Sequence, residues 1–99
     1  RKVFKMSNVK VAQMLNNQGQ AVKNQFYIFD QDNHVVMFQS YNSIIVKKYN
    51  NGNVELDKNY WDYSLTTGKY RNVFLAEKKP VTEKKIKQGI YKLVDLNKK

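Results

Sequence analysis

The sequence predicts an α+β fold. It reads as a single domain over residues 1–99, an antiparallel sheet of about five strands with two to three short helices on one face. Three observations predict it. Short runs rich in Val, Ile, Tyr and Phe are punctuated by Asn, Asp and Gly clusters at strand spacing. The stretch from Leu65 to Gln88 instead carries helical spacing, interrupted by the sole proline, Pro80. A chain of 99 residues that is 41% hydrophobic can build one core and no second.

Taken in order, Ser7 to Asn16 is expected to be a short helix, with Ser7 as N-cap and Val11, Met14 and Leu15 at i, i+3 and i+4. Met6 would staple onto Val11, and Gly19 would end the helix with a positive φ. Val22–Phe29 follows as a strand, with Phe26 and Ile28 on one side and Tyr27 and Phe29 on the other. Asp30–Asn33 is a turn, because Asx side chains bond their own backbone, and His34–Gln39 returns as the second strand of a hairpin. Ser40–Ser43 breaks the pattern and Ile44–Tyr49 resumes it. Asn50-Asn51-Gly52-Asn53 suits a type I′ turn, pairing 44–49 with 54–57 in antiparallel fashion.

The segment Tyr60–Ala76 organises the rest. It holds the only Trp and three of the seven Tyr residues. A helix from Leu65 to about Ala76, capped by Ser64 or Thr66, would lay Tyr70, Val73, Phe74 and Leu65 on the sheet. With Thr66 as the cap, Leu65 and Tyr70 stand at staple spacing. Gly68 in the first turn costs roughly 1 kcal/mol relative to Ala, which points to a close neighbour or to a tolerated weakness. Pro80 should stop this helix, and Thr82 should cap a shorter one over Glu83–Gln88, ended by Gly89. Ile90–Asp95 is the last strand and Asn97–Lys99 a tail.

Function is less legible. The chain lacks Cys, so thiolate chemistry, disulfides and Cys-ligated zinc are excluded, and a single His34 builds no multi-histidine metal site. No nucleophile can be placed beside His34, Asp57 and Asp62 lie five apart across an aromatic loop, and Asp62 is expected to accept hydrogen bonds from a helix N-terminus. Gly68-Lys69 lacks the rest of a phosphate loop. The expectation is a protein that is not an enzyme and takes no cofactor or metal. No apolar run approaches the roughly 18 residues of a membrane span, and the start RKVFKM has no signal-peptide core, so a cytoplasmic protein without a membrane partner is expected.

The net charge is +10, and it is uneven. Residues 1–68 carry eight Lys/Arg against five Asp/Glu, whereas residues 69–99 carry ten against three. Such a surplus favours polyanions. The candidate nucleic-acid or anion contacts are Lys69, Arg71, Lys78, Lys79, Lys84, Lys85 and Lys87, with Thr66 and Thr67 at a helix N-terminus beside them. The candidate aromatic contacts are Tyr60, Trp61, Tyr63 and Tyr70, although an aromatic run beside a sheet is more often core than site, Trp61 more so than Tyr63. Sixteen of the eighteen cations are Lys, a composition that a lysine-rich soluble protein from an AT-rich genome would share.

The string WDYSLTTGKYRNVFL at Trp61–Leu75, with FQSYNSII at Phe38–Ile45 and YKLVDLN at Tyr91–Asn97, resembles a family of small uncharacterised accessory proteins of phages and plasmids in low-GC Gram-positive bacteria. The likeness covers most of the chain beyond Gln20. It implies a mobile-element protein that acts by binding, for instance by inhibiting a host defence nuclease such as a CRISPR effector. Two readings follow. One is a module that engages nucleic acid or a nucleoprotein complex through the basic last third. The other is a protein–protein adaptor or inhibitor that uses the aromatic face around Tyr60–Tyr63.

Overall fold

The computed structural model describes residues 8–98. Six strands and two helices follow one another as β1 (Val9–Leu15), β2 (Ala21–Asp30), β3 (Val35–Ser40), β4 (Ser43–Tyr49), β5 (Val54–Asp57), α1 (Leu65–Leu75), α2 (Lys79–Lys87) and β6 (Tyr91–Val94). The strands lie in sequence order across one sheet. The α+β class is as expected, with six strands instead of about five. The sheet is mixed: β5 and β6 pair parallel and all other neighbours antiparallel. A parallel pair needs a crossover, and the two helices provide it.

The first element departs from the sequence reading: a strand, not a helix, runs from Val9 to Leu15. Val11, Met14 and Leu15 fit a helical stripe, but Val9 and Val11 also alternate, and β2 is ten residues long with an edge to fill. β1 fills it from Val9↔Asp30 to Leu15↔Ala21, with a register shift between Gln13 and Leu15. Met14 is buried in the core while Val11 stays 62% exposed, which no single helical face would produce. Gly19 has its positive φ, but in a hairpin turn that the Asn16 carboxamide oxygen closes by accepting from the N–H groups of Gln18 and Gln20. The Ser7 cap and the Met6 staple fall outside the described residues.

The other turns follow their chemistry. The Asp30 carboxylate accepts from the Asn33 backbone and side chain, and His34 takes φ 56° as the chain turns back. The Asn50–Asn53 loop is not type I′, because only Gly52 has φ > 0 there; the Gly52 N–H donates to Tyr49 O. That matches a type I turn closed by a left-handed glycine. β4 carries a bulge at Ile45, between the pairs Phe38↔Val46 and Gln39↔Ile44. The Asn97 side chain, read from sequence as tail, bonds both the N–H and the C=O of Ile44 at 2.7 and 2.9 Å, supplying partners beside the bulge.

Residues paired across strands share a face. The row Ala12–Tyr27–Phe38–Val46–Leu56 lies under the helices, and Val11–Ile28–Met37–Lys47–Glu55 lies on the other side. Met14, Phe38, Ile45, Val46, Val54, Leu56, Tyr70 and Tyr91 form the core, with Phe74 and Ile86 packed against it.

Ser64, not Thr66, caps α1: its Oγ accepts from Thr67 N–H, and Thr67 Oγ1 meets Ser40 Oγ at 2.8 Å in the interior. The helix therefore buries Thr67, Tyr70 and Arg71, while Leu65 is 94% exposed and Val73 is half exposed. Neither packs on the sheet as expected, and no Leu65–Tyr70 staple follows from a Ser64 cap. α1 ends at Ala76, which takes a left-handed conformation and donates its N–H to the carbonyls of Asn72 and Val73, so Pro80 does not stop it. Pro80 instead opens α2, because a missing N–H costs nothing in a first turn. Thr82 thus falls inside α2, buried, and donates its hydroxyl to Glu77 at 2.6 Å. Gly89 (φ 76°) ends the helix.

Candidate nucleic-acid interface

The aromatic loop between β5 and α1 is held by charge. Asp57, fully buried, accepts from the N–H groups of Asn59, Tyr60 and Leu96, tying the loop to the chain after β6. Arg71 is 1% exposed. Its guanidinium donates to Trp61 O at 2.8 Å, Asp62 Oδ1 at 3.1 Å and Asn72 Oδ1 at 3.0 Å, and lies 5.2 Å from the Trp61 ring centroid. Lys79 Nζ reaches the other Asp62 oxygen at 2.6 Å. Asp62 therefore joins the loop, α1 and the start of α2 through two cations, where a helix N-terminus was expected to be its partner. Burial pushes its carboxyl up, but hydrogen bonds from Lys79 and Arg71 outweigh this and hold it below the ordinary carboxylate range.

A second clamp sits one turn on. Glu77 accepts from Lys85 Nζ at 2.8 Å, from Thr82 and from the Tyr91 hydroxyl at 2.9 Å. Burial again raises the carboxyl and these three donors lower it further than burial raises it. Lys85 is held above its usual value by its bonds to Glu77 and Tyr91, and Lys79 by its bond to Asp62.

These clamps sort the seven expected cations. Arg71 faces inward and is no surface contact, a correction that follows from its pairing with the Trp61 carbonyl and Asp62. Lys79 and Lys85 spend their charge on carboxylates. Lys69, Lys78, Lys84 and Lys87 remain exposed, with no carboxylate within salt-bridge distance among the described residues. Lys84 and Lys87, three apart on α2, share one stripe.

The aromatic candidates divide too. Tyr70 is core, and Trp61 packs against the core beneath Arg71. Tyr60 and Tyr63 are exposed and meet edge to face at 5.3 Å. His34 makes no side-chain hydrogen bond among the described residues, and none there form a cluster of three or more metal-ligating side chains.

One feature escaped the sequence reading. The helices cover the sheet incompletely, leaving a groove of about 820 Å³ lined by Lys10, Tyr27, Phe29, Val36, Lys48 and Phe74 among others. The alternation of Tyr27 and Phe29 on one face of β2 was its only sequence signal, because Phe74 arrives from α1.

The sequence profile of DUF8033, a family of unknown function, matches residues 9–92. The chain belongs to DUF8033. The match to DUF8033 spans the Arg71–Asp62–Lys79 and Glu77–Lys85 clamps, the four exposed lysines and the groove. No curated protein and no solved structure shows significant similarity to this DUF8033 member. No helix among its described residues is long and apolar enough to cross a membrane.

Proposed function

We propose that this DUF8033 member is a non-catalytic binding module, an accessory protein of a phage or plasmid, that engages nucleic acid or a nucleoprotein complex. A host defence nuclease inhibited in the manner of an anti-CRISPR protein is the target this reading favours. One observation carries it. Asp62 and Glu77 are already bound within the fold, and among the described residues no carboxylate lies within salt-bridge distance of Lys69, Lys78, Lys84 or Lys87, so these four outnumber the exposed acids left in this region, Glu83 and Asp95. Such a field attracts phosphates without reading sequence. Fluorescence anisotropy with labelled oligonucleotides at two salt concentrations tests it. Binding that weakens steeply with salt is expected, and absence of binding at low salt overturns the proposal.

The exposed Tyr60–Tyr63 pair supports a second reading, an adaptor that docks on a host protein through its aromatic loop. On that reading Tyr63→Ala abolishes host-protein capture and leaves oligonucleotide binding unchanged.

A further inference from the structure

Four rings form a row that runs from the core to the solvent. Phe38, fully buried, lies 5.9 Å from Phe74; Phe74 lies 5.8 Å from Tyr27; Tyr27 lies 5.8 Å from Phe29, which is 36% exposed. Successive ring planes differ by 26°, 32° and 28°, so the row approximates an offset stack. Its inner end is packed and its outer end opens into the groove. Lys10, the cross-strand partner of Phe29, and Lys48, on β4, stand on that groove with one carboxylate, Asp30, whose oxygens accept from Asn33. Both lysines are exposed, and neither has a carboxylate within salt-bridge distance among the described residues.

We propose that the outer end of this aromatic row, flanked by Lys10 and Lys48, is a stacking site for an unpaired base of single-stranded nucleic acid. It deepens the nucleic-acid reading above and rests on it. The ring row offers a π surface that extends by one more ring, and every base has a π face. The two ammonium groups supply phosphate contacts on either side of the slot, where a purely apolar occupant would gain nothing from them. A duplex keeps its bases stacked on one another and cannot present one to the row. The groove therefore discriminates by strandedness, and the lysines of α1 and α2 do not.

Anisotropy titrations of wild type, Phe29→Ala and a Lys84→Gln/Lys87→Gln variant, each against single-stranded oligothymidylate and against a duplex, test the proposal. Phe29→Ala should weaken single-strand binding between about five-fold and a hundred-fold and leave duplex binding unchanged. The α2 variant should weaken both alike. A Lys10→Glu/Lys48→Glu variant, altered only at exposed positions, should reproduce the single-strand loss. Amide spectra of unmodified protein need no variant: oligothymidylate should shift residues around Tyr27, Phe29 and Val36. If Phe29→Ala affects both ligands equally or neither, the stacking site is overturned while the charge-based reading stands. If it spares oligonucleotides but abolishes capture of a host protein, the groove belongs to a protein partner and the proposal fails. If wild type binds neither nucleic acid at low salt, both readings fall together.

Discussion

At the scale of single residues, Arg71 shows how context overrides composition. A guanidinium presents a planar fork of donors and is more weakly hydrated than an ammonium, so it is the cation suited to a buried site. Removing it strands the Trp61 carbonyl and half of Asp62. Arg71→Ala should cost about 3 kcal/mol or more, read from the urea midpoint. Gly68 illustrates the opposite. A Cβ there would sit 3.7 Å from the Arg71 guanidinium nitrogens and 3.9 Å from Asp62 Oδ1, ordinary contact distances. The helical weakness is therefore tolerated and not required, and Gly68→Ala should stabilise by about 0.5–1 kcal/mol.

The carboxylates of the two clamps set an acid limit. Asp62 and Glu77 are both held below their ordinary values of 3.8 and 4.5 in the folded chain. The unfolded chain then binds the more protons in acid, so their stabilisation is full above those values and fades as pH falls through the lowered ones. Glu77→Gln should flatten this fall, measured as the urea midpoint against pH. In alkali the sign reverses for Lys79 and Lys85, whose raised values add stability that is lost as pH climbs past them.

At the scale of elements, β1 and the β4 bulge carry the informative contrasts. With Val9–Leu15 as an edge strand, Val11 faces solvent and Met14 the core. Met14→Ala should cost about 2–5 kcal/mol, and Val11→Lys should stay within about 0.5 kcal/mol of wild type. A helix would have placed both on one stripe and made both costly. The Asn97 carboxamide supplies partners for both backbone groups of Ile44, 53 residues away in sequence. Asn97→Ala should cost about 1–3 kcal/mol, because the donor and the acceptor both lose their partners.

At the scale of the whole molecule, the body measures 53 × 34 × 25 Å, with the groove at the β1–β4 side and α2 beside β6. A net charge of +10 makes any polyanion binding salt-sensitive. With Lys69, Lys78, Lys84 and Lys87 as the phosphate contacts, log K should fall with log salt at a slope of about −3 for single strands. Engagement of Lys10 and Lys48 as well would steepen it for single strands alone.

Features that depend on neighbours a few residues apart can be read directly from the amino-acid order. The Asx turn at 30–33, the place but not the type of the turn at 50–53, the Ser64 alternative for the α1 cap, the Gly89 stop and the basic surplus past residue 68 are of this kind, since turn and cap chemistry acts within three or four residues. Features that depend on distant partners emerge once the chain has folded. The edge vacancy of β2 made Val9–Leu15 a strand, the crossover made β6 parallel to β5, and Asp62 with the Trp61 carbonyl drew Arg71 inward while Phe74 completed a ring row begun on β2. Backbone pairing and burial act between segments far apart in the chain, so side chains whose local pattern fits two structures, or both core and surface, take the one that these distant contacts favour.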